Sequence, residues 1–198
     1  MRNIHLVGSI PLGDAAEVFS VVAEKLGGCC KRLPDGETGD RLTWIRWQDH
    51  VFRDHPQLDA IESTGDYRNA TAVVQGVGGI KKMPHTTWWQ IKEGIAPENL
   101  EMRSLGYADC AIESYQEFKR QKEAGVVDSD VKFLAAIPSP FNVINSAIAP
   151  QDRIRVEPAY EAQMQKEIDQ IAGIIPHKEL AIQWDNAHDM QAFEGARQ

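Results

Sequence analysis

Two acidic side chains that could bind a ligand stand close together in the first quarter of the chain. Asp35 and Glu37 lie on either side of Gly36, directly after a short apolar run. Carboxylates in this position suit a ligand that bears an ammonium group. Arg41 follows on the first turn of the next predicted helix and can reach the same ligand. The alternative is a solvated turn in which Arg41 pairs with Asp40.

A second polar pair lies near the other end of the sequence. Gln183 and Asp185 flank Trp184 at the end of another apolar run. Side chains alternate between the two faces of a strand, so Gln183 and Asp185 would share one face and line one cavity. A buried carboxylate needs hydrogen bonds or a cation, and a substrate ammonium would serve as well as an arginine. The alternative is that Asp185 only caps the following turn.

A third group precedes both of these in the sequence. Gly8 and Ser9 follow the first apolar run and are themselves followed by Pro11. Glycine lets the backbone approach a ligand closely, and proline stiffens the turn. The backbone N–H groups and the hydroxyl of such a turn suit a carboxylate or a phosphate. A tight turn without a ligand is the alternative.

These three groups require strands that end side by side. Apolar runs predict strands at residues 3–10, 29–33, 131–137 and 180–185. Three- and four-residue spacing of apolar side chains predicts helices from the N-cap Asp14 to residue 26 and over residues 40–55, 105–125 and 154–175. Strands that alternate with helices indicate an α/β fold of parallel strands with right-handed crossovers. In such folds the ligand site lies at the carboxyl ends of the strands.

The middle of the chain interrupts this regular pattern. We expect one domain over residues 1–198, with an irregular insertion around residues 57–104 that has room for a short hairpin. Insertions of this length often form lids or binding loops. Trp88 and Trp89 lie inside the insertion and are expected either to cover the mouth of the site or to pack on its rim.

The composition excludes several classes of protein. With 198 residues, 42% of them hydrophobic and 25% charged, the chain can bury the core of one domain. Its net charge of −8 argues against binding to nucleic acid or to an anionic membrane. No run of about eighteen apolar residues could cross a membrane. The first residues do not resemble a signal peptide, and three cysteines without framework spacing favour a reducing compartment, so we expect a cytoplasmic protein.

The order of the three strand-end groups resembles a known family. Gly8-Ser9-Ile10-Pro11, Gly36-Glu37 and Gln183-Trp184-Asp185 are similar to the strand ends of the catalytic barrel of cobalamin-independent methionine synthases, in the uroporphyrinogen decarboxylase superfamily. The resemblance implies a TIM-barrel-like fold of parallel βα units. Because only about four strands are predicted, it implies an incomplete, half barrel. One departure is Asn186-Ala187, where methionine synthases have Glu-Pro after the last motif.

The resemblance also implies a function. In that family the residues at the positions of Ser9, Glu37 and Asp185 hold the amino-acid portion of homocysteine. We therefore expect Gly8, Ser9, Asp35, Glu37, Arg41, Gln183 and Asp185 to bind an amino-acid-like or thiol substrate for methyl or alkyl transfer. A decarboxylase-like barrel and a non-catalytic amino-acid-binding or regulatory protein are the alternatives. No residue is assigned a catalytic role.

A half barrel has consequences for cofactor and partner. The family's zinc ligands, a His-x-Cys pair with a later Glu and Cys, lie in the second half of its barrel, so this chain has no evident metal site, although His188 and Asp189 could contribute one or two ligands. Zinc is expected only if its ligands come from a missing half or a partner. Four parallel strands leave two unpaired edges and an open interior. We therefore expect a homodimer or a separate second barrel half.

Overall fold

Five strands and six α-helices make up the part of the chain that the computed structural model describes, residues 4–62 and 87–195. The strands are β1 (Arg32–Pro34), β2 (Leu58–Glu62), β3 (Thr87–Ile91), β4 (Lys132–Pro138) and β5 (Leu180–Asp185). The helices are α1 (Ala15–Leu26), α2 (Asp49–Phe52), α3 (Tyr107–Glu123), α4 (Pro140–Ala147), α5 (Arg153–Ile174) and α6 (Ala187–Phe193). Three 3₁₀ helices occupy Gly39–Gln48, Pro97–Asn99 and Pro150–Asp152.

The main sheet has three parallel strands in the order β1, β4, β5. Pro34 of β1 is opposite Leu134 of β4, and Pro138 of β4 is opposite Asp185 of β5. The predicted α/β fold with parallel strands is confirmed to this extent. The described strands form an open sheet rather than a closed barrel. Because the strands are parallel, the residues that follow β1, β4 and β5 lie along the same edge.

Helix α1 shows how local signals place an element against this sheet. The side chain of Asp14 accepts a hydrogen bond from the N–H of Glu17 at 2.8 Å, as expected for an N-cap. Val18, Phe19 and Val22 recur at three- and four-residue spacing and are buried. The predicted cap and apolar face of this helix are confirmed. The helix therefore fixes the loop that leads from the first apolar run into the sheet.

Aromatic side chains join the helices to the sheet. The ring of Phe118 on α3 lies 5.3 Å from the ring of Phe19 on α1 and 5.7 Å from that of Phe133 on β4. Tyr115 contacts Phe133 edge to face at 5.9 Å. Such pairs add to the free energy gained by burial of the rings. This cluster lies on the helix-covered face of the sheet, so α3 is firmly held behind β1 and β4.

The strand predicted at the start of the chain does not form a full ladder. Over residues 4–10 the single strand-like contact is a parallel bridge between Ile4 and Cys30, in which the N–H of Ile4 donates to the carbonyl of Cys29 at 2.9 Å. In this register, residue 8 would lie opposite Pro34. Proline has no N–H and cannot extend the ladder, so the segment continues as an extended loop.

One predicted helix and one predicted turn also differ from the structure. The helix expected over residues 40–55 is a ten-residue 3₁₀ helix followed by the four-residue α2. Thr38 makes no capping hydrogen bond there, so the segment lacks the N-terminal signal of an α-helix. Pro138-Ser139-Pro140 follows the strand predicted at residues 131–137, and its two prolines predict a rigid turn. It instead starts α4, because Ser139 caps the N–H of Asn142 and proline suits the first helical turn.

The predicted insertion contains regular structure at both ends. Strands β2 and β3 pair antiparallel, with Leu58 opposite Ile91 and Ala60 opposite Trp89. Trp88 and Trp89 therefore belong to a strand rather than to an irregular segment, and both are buried. The indole N–H of Trp89 donates to Asp49 on α2 at 3.2 Å. The middle of the predicted insertion, residues 63–86, lies outside the described residues.

None of the helices in the described ranges combines the length and the apolar character needed to cross a membrane.

Candidate functional site

The candidate site lies where β1 and β5 end. Glu37 comes three residues after β1, and Asp185 is the last residue of β5. Their carboxyl groups are close enough for the charge of Asp185 to raise the pKa of Glu37. The structure thus places two acids that are 148 positions apart in the sequence at the same edge of the sheet. We use the name acidic rim for these two acids and the residues next to their carboxyl groups, which are Gly8, Ser9 and Gln183.

Asp35 holds the loop that presents Glu37. One of its oxygens accepts hydrogen bonds from Arg41 and from the hydroxyl of Ser114, each at 2.8 Å. The other accepts the backbone N–H of Glu37 at 3.0 Å. The loop needs this support because Glu37 has a φ of 49°, a left-handed conformation that costs free energy in a residue other than glycine. Asp35 and Arg41 thus face each other within the protein and position Glu37.

Gly36 makes this loop possible. Its φ is 80°, which glycine adopts without strain. A Cβ at this position would lie 2.7 Å from the side chain of Val18 and 3.2 Å from that of Ile10. The carbonyl of Gly36 also accepts the N–H of Ile10 at 2.8 Å. The loop after β1 is therefore joined directly to the loop that contains Gly8 and Ser9.

The first loop packs against the carboxylate of Glu37. The hydroxyl of Ser9 donates a hydrogen bond to Glu37. A Cβ on Gly8 would lie 3.2 to 3.3 Å from the carboxyl group, closer than an ordinary contact. Within the described residues, the N–H groups of Gly8 and Ser9 take part in no hydrogen bond. Gly8 is buried and Ser9 is exposed, so a ligand that enters this loop would supply the partner that these donors lack among the described residues.

Gln183 joins the first loop to Asp185. Its amide nitrogen donates to a carboxylate oxygen of Asp185 at 2.7 Å and to the carbonyl of Val7 at 2.5 Å. Its amide oxygen is 2.7 Å from Nε2 of His5. Gln183 and Asp185 share one face of β5, as their spacing predicts. A series of contacts thus runs from Glu37 through Ser9 and the backbone of Val7 to Gln183 and Asp185.

Burial makes both acids harder to ionise. Desolvation raises the pKa of Glu37, the hydrogen bond from Ser9 opposes this, and the charges of Asp185 and Asp35 raise it further. Desolvation likewise raises the pKa of Asp185, against the hydrogen bond from Gln183. Burial also opposes the charge of Arg41, but the neighbouring Asp35 leaves the pKa of the guanidinium raised. The charge of Arg41 lowers the pKa of Glu37 and that of His5 lowers the pKa of Asp185, but burial outweighs both. An ammonium group placed between Glu37 and Asp185 would add positive charge that favours the ionised acids.

The structure brings together most of the residues singled out from the sequence. Gly8, Ser9, Glu37, Gln183 and Asp185 form the acidic rim. Asp35 and Arg41 lie directly behind it and bond to each other. Both therefore contact the rest of the site through the loop that they support.

Three residues of the site were not predicted from the sequence. His5 stands as a polar residue within the first apolar run, and Ser114 lies on the otherwise apolar face of α3. Asn142 on α4 is fully buried, where its amide donates to the carbonyl of Asp185 at 2.5 Å and its amide oxygen accepts the N–H of His188 at 2.7 Å. A polar side chain at an apolar position is the signal that could have identified His5 and Ser114. The position of Asn142 follows only from tertiary contacts.

The carboxyl, amide and hydroxyl groups of the rim are suited to an organic cation such as an ammonium group. Over residues 4–62 and 87–195, no group of three or more His, Cys, Asp or Glu side chains is arranged to hold a metal ion. Two surface grooves lie elsewhere. One is apolar and runs between α1 and Val126–Val131, and the other is lined by Ile4, His5, Lys31 and Arg32. We assign the candidate site from its chemistry, because neither groove includes Glu37 or Asp185.

Comparison of the chain with protein-family models, with curated proteins and with solved structures gave no match.

Proposed function

We propose that this is a methionine-synthase-like protein of TIM-barrel-like architecture, whose acidic rim binds the amino-acid portion of a small amino-acid-like or thiol substrate. The observation that carries the proposal is the pairing of two desolvated acids, Glu37 and Asp185, at the carboxyl edge of parallel strands. Neither carboxyl group forms an ion pair with a described residue, and such a pair of acids favours an ammonium ligand. The proposed location is the cytoplasm.

The loop at Gly8 and Ser9 offers hydrogen-bond donors for the carboxylate of an amino acid. Its two unused N–H groups lie beside Glu37 and can donate to a carboxylate. Arg41, whose charge acts on Glu37, is already bonded to Asp35. The rim therefore favours a zwitterion over the multiply carboxylated substrate that a decarboxylase-like barrel would need.

The proposed reaction is methyl or alkyl transfer to the substrate's thiol. The thiol would lose its proton, and its sulfur would form a bond to carbon as the donor's bond to that carbon breaks. In methionine synthases zinc holds the sulfur as a thiolate. The described residues of this chain do not form such a site, since the rim offers carboxylates, an amide and a hydroxyl rather than thiols. Transfer therefore depends on ligands from a second half or a partner, and this chain's residues bind and orient the amino-acid portion.

Methionine is expected to bind to the acidic rim, and the variants Glu37→Gln and Asp185→Asn are expected to weaken this binding by about tenfold each. The reason is the loss of one charge-assisted hydrogen bond to the ammonium, worth about 1.5 kcal/mol. Isothermal titration calorimetry with L-methionine and L-homocysteine at neutral pH measures the effect.

A matched ligand and a matched variant test whether the ammonium is responsible. The compound 4-(methylthio)butanoate is methionine without its ammonium, and its affinity should be the same for the wild type and for Glu37→Gln. Glu161→Gln removes a similar charge from an exposed position on α5 and should leave methionine binding unchanged. Equal methionine affinity in the wild type and both rim variants would exclude the proposed function.

We also propose that the barrel is completed by a second copy of this chain or by a separate second half. The support is an uncovered apolar surface on β5. Ile182 and Trp184 are 37% and 46% exposed, whereas their register neighbours on β4, Ala135 and Ile137, are buried. In a barrel, helices cover this face of each strand.

Light scattering on the eluate of a size-exclusion column is expected to give twice the mass of the chain. Trp184→Ser should shift the equilibrium toward the monomer, because it removes apolar area from the exposed face of β5. Phe193→Ser is the control, since Phe193 is 87% exposed on α6 rather than on the strand. A monomer at all concentrations would refute the homodimer and leave only a separate second half.

A further inference from the structure

A groove at the amino end of β1 has a charge opposite to that of the whole chain. It is lined by Ile4, His5, Lys31 and Arg32. The chain as a whole has a net charge of −8. We call these four residues, with the neighbouring Lys132 of β4, the cationic groove. The acidic rim lies at the carboxyl ends of the strands, and His5, whose Nε2 contacts Gln183 of the rim, lies between the two sites.

Register places two of these cations side by side. Arg32 of β1 is opposite Lys132 of β4, and register partners in a parallel pair point to the same face. Leu33 and Phe133, the next pair, belong to the core, so Arg32 and Lys132 point to the face without helices. Like charges at opposite positions destabilise a sheet. A counter-ion at this position would remove that cost.

The protein does not provide this counter-ion in the described ranges. No carboxylate there lies within ion-pair distance of the side chains of Lys31, Arg32 or Lys132. Other buried or half-buried cations in these ranges do have such a partner, as Arg41 has in Asp35 and Arg155 in Asp152. The ring of His5 keeps one nitrogen for a ligand, because only Nε2 contacts Gln183.

We propose that the cationic groove binds the phosphate group of a small molecule. A phosphate carries up to two negative charges and so can neutralise Arg32 and Lys132 together, and the planar guanidinium matches its oxygens. A small anion fits the observations better than a nucleic acid does. A polyanion would be repelled by the net charge of −8 beyond the groove, and the described cations form one cluster rather than a stripe.

Inorganic phosphate is expected to bind saturably and to raise the thermal unfolding midpoint. Titrations are made at pH 7 against sodium chloride of the same ionic strength, so that general screening cancels. Arg32→Gln and Lys132→Gln should each weaken phosphate binding by about tenfold, which corresponds to the loss of one charge-assisted contact. Lys166→Gln makes the same change of charge at an exposed position on α5 and should leave binding unchanged.

The source of the phosphate is resolved by a second titration. Glycerol 3-phosphate that binds more tightly than inorganic phosphate would indicate a phosphorylated metabolite, and the reverse order would indicate the free ion. Lys31→Gln, whose side chain makes no other bond among the described residues, serves if Arg32→Gln does not fold. Phosphate that stabilises no more than chloride, or equal losses in the groove variants and Lys166→Gln, would overturn the proposal. Neither result affects methionine binding at the acidic rim.

Discussion

Glu167→Ala is expected to lower the free energy of unfolding by about 3–5 kcal/mol, because one buried carboxylate caps a whole helix. Glu167 on α5 is 2% exposed. One oxygen accepts the N–H of Leu105 at 2.6 Å and the hydroxyl of Ser104 at 2.9 Å, and the other accepts the N–H of Ala108 at 2.8 Å. Alanine would leave these donors buried and unbonded. Urea unfolding followed by circular dichroism measures the loss.

Two further variants show whether the carboxylate itself is responsible. Glu161→Ala lies on the same helix at an exposed position and should change the free energy of unfolding by less than about 0.5 kcal/mol. Glu167→Gln keeps one acceptor oxygen and should lose less than Glu167→Ala. If Glu167→Ala and Glu161→Ala lose similar amounts, the N-terminus of α3 does not depend on this carboxylate.

Loss of the Glu167 carboxylate is also expected to affect the acidic rim, because α3 supports the loop that presents Glu37. Glu167 is the cap that the N-terminus lacks, since Gly106 has no side chain to bond the first N–H groups. One face of α3 positions Ser114 against Asp35, and Phe118 packs in the aromatic cluster. Loss of the cap therefore also loosens the loop that presents Glu37.

Elements with local signals could be predicted from the sequence. Strand β5 occupies the residues expected for it, and α1 begins after the expected cap at Asp14. The first predicted strand was wrong, since its pairing with β1 ends after the bridge at Ile4. Pro34 has no N–H with which the pairing could resume at residue 8, and this is a property of the partner strand. The role of Glu167 depends on a segment about sixty residues away, so no local pattern in α5 indicates it.

The candidate site could likewise be predicted only where local sequence signals determine it. Parallel strands bring their carboxyl ends to one edge, so a sequence pattern suffices to group Glu37 and Asp185. Ser9 joins them from a loop, through its hydrogen bond to Glu37. The pattern does not show that the oxygens of Asp35 are already bonded to Arg41 and Ser114. Ser114 is 79 positions away from Asp35, and only the packing of α3 behind β1 brings them together.

Binding of an ammonium ligand is expected to release protons at mildly acidic pH, and its affinity is expected to fall as the pH falls. This prediction rests on the proposed function. Burial raises the pKa of Glu37 above its ordinary value of 4.5 and that of Asp185 above 3.8. The empty site therefore holds part of a proton in a pH range where a free carboxyl group would be ionised. An ammonium favours the ionised acids, so this proton leaves when the ligand binds.

Calorimetry in buffers of different ionisation enthalpy measures the protons released. Methionine affinity should fall by up to about tenfold for each pH unit below the raised pKa values, and the release should be larger at about pH 5 than at about pH 7.5. Asp185→Asn should release fewer protons than the wild type. Methionine that binds without proton release at either pH would refute the linkage and leave the proposed function standing.

Glu37→Gln is expected to increase the stability of the protein at neutral pH, although it weakens methionine binding. A raised pKa in the folded state favours the protonated acid, so this contribution to stability is complete below the unfolded pKa and is lost as the pH rises through the folded pKa. The ionised carboxylate of Glu37 therefore lowers the free energy of unfolding at neutral pH. Glu37→Gln should raise the unfolding midpoint there by about 2–4 °C, the shift that ~1 kcal/mol causes in a protein of this size. Because the same substitution weakens methionine binding, a variant that is more stable but binds less would show that the two acids are kept close together for the ligand rather than for the fold. A lower midpoint at neutral pH would instead show that the carboxylate of Glu37 holds the loop.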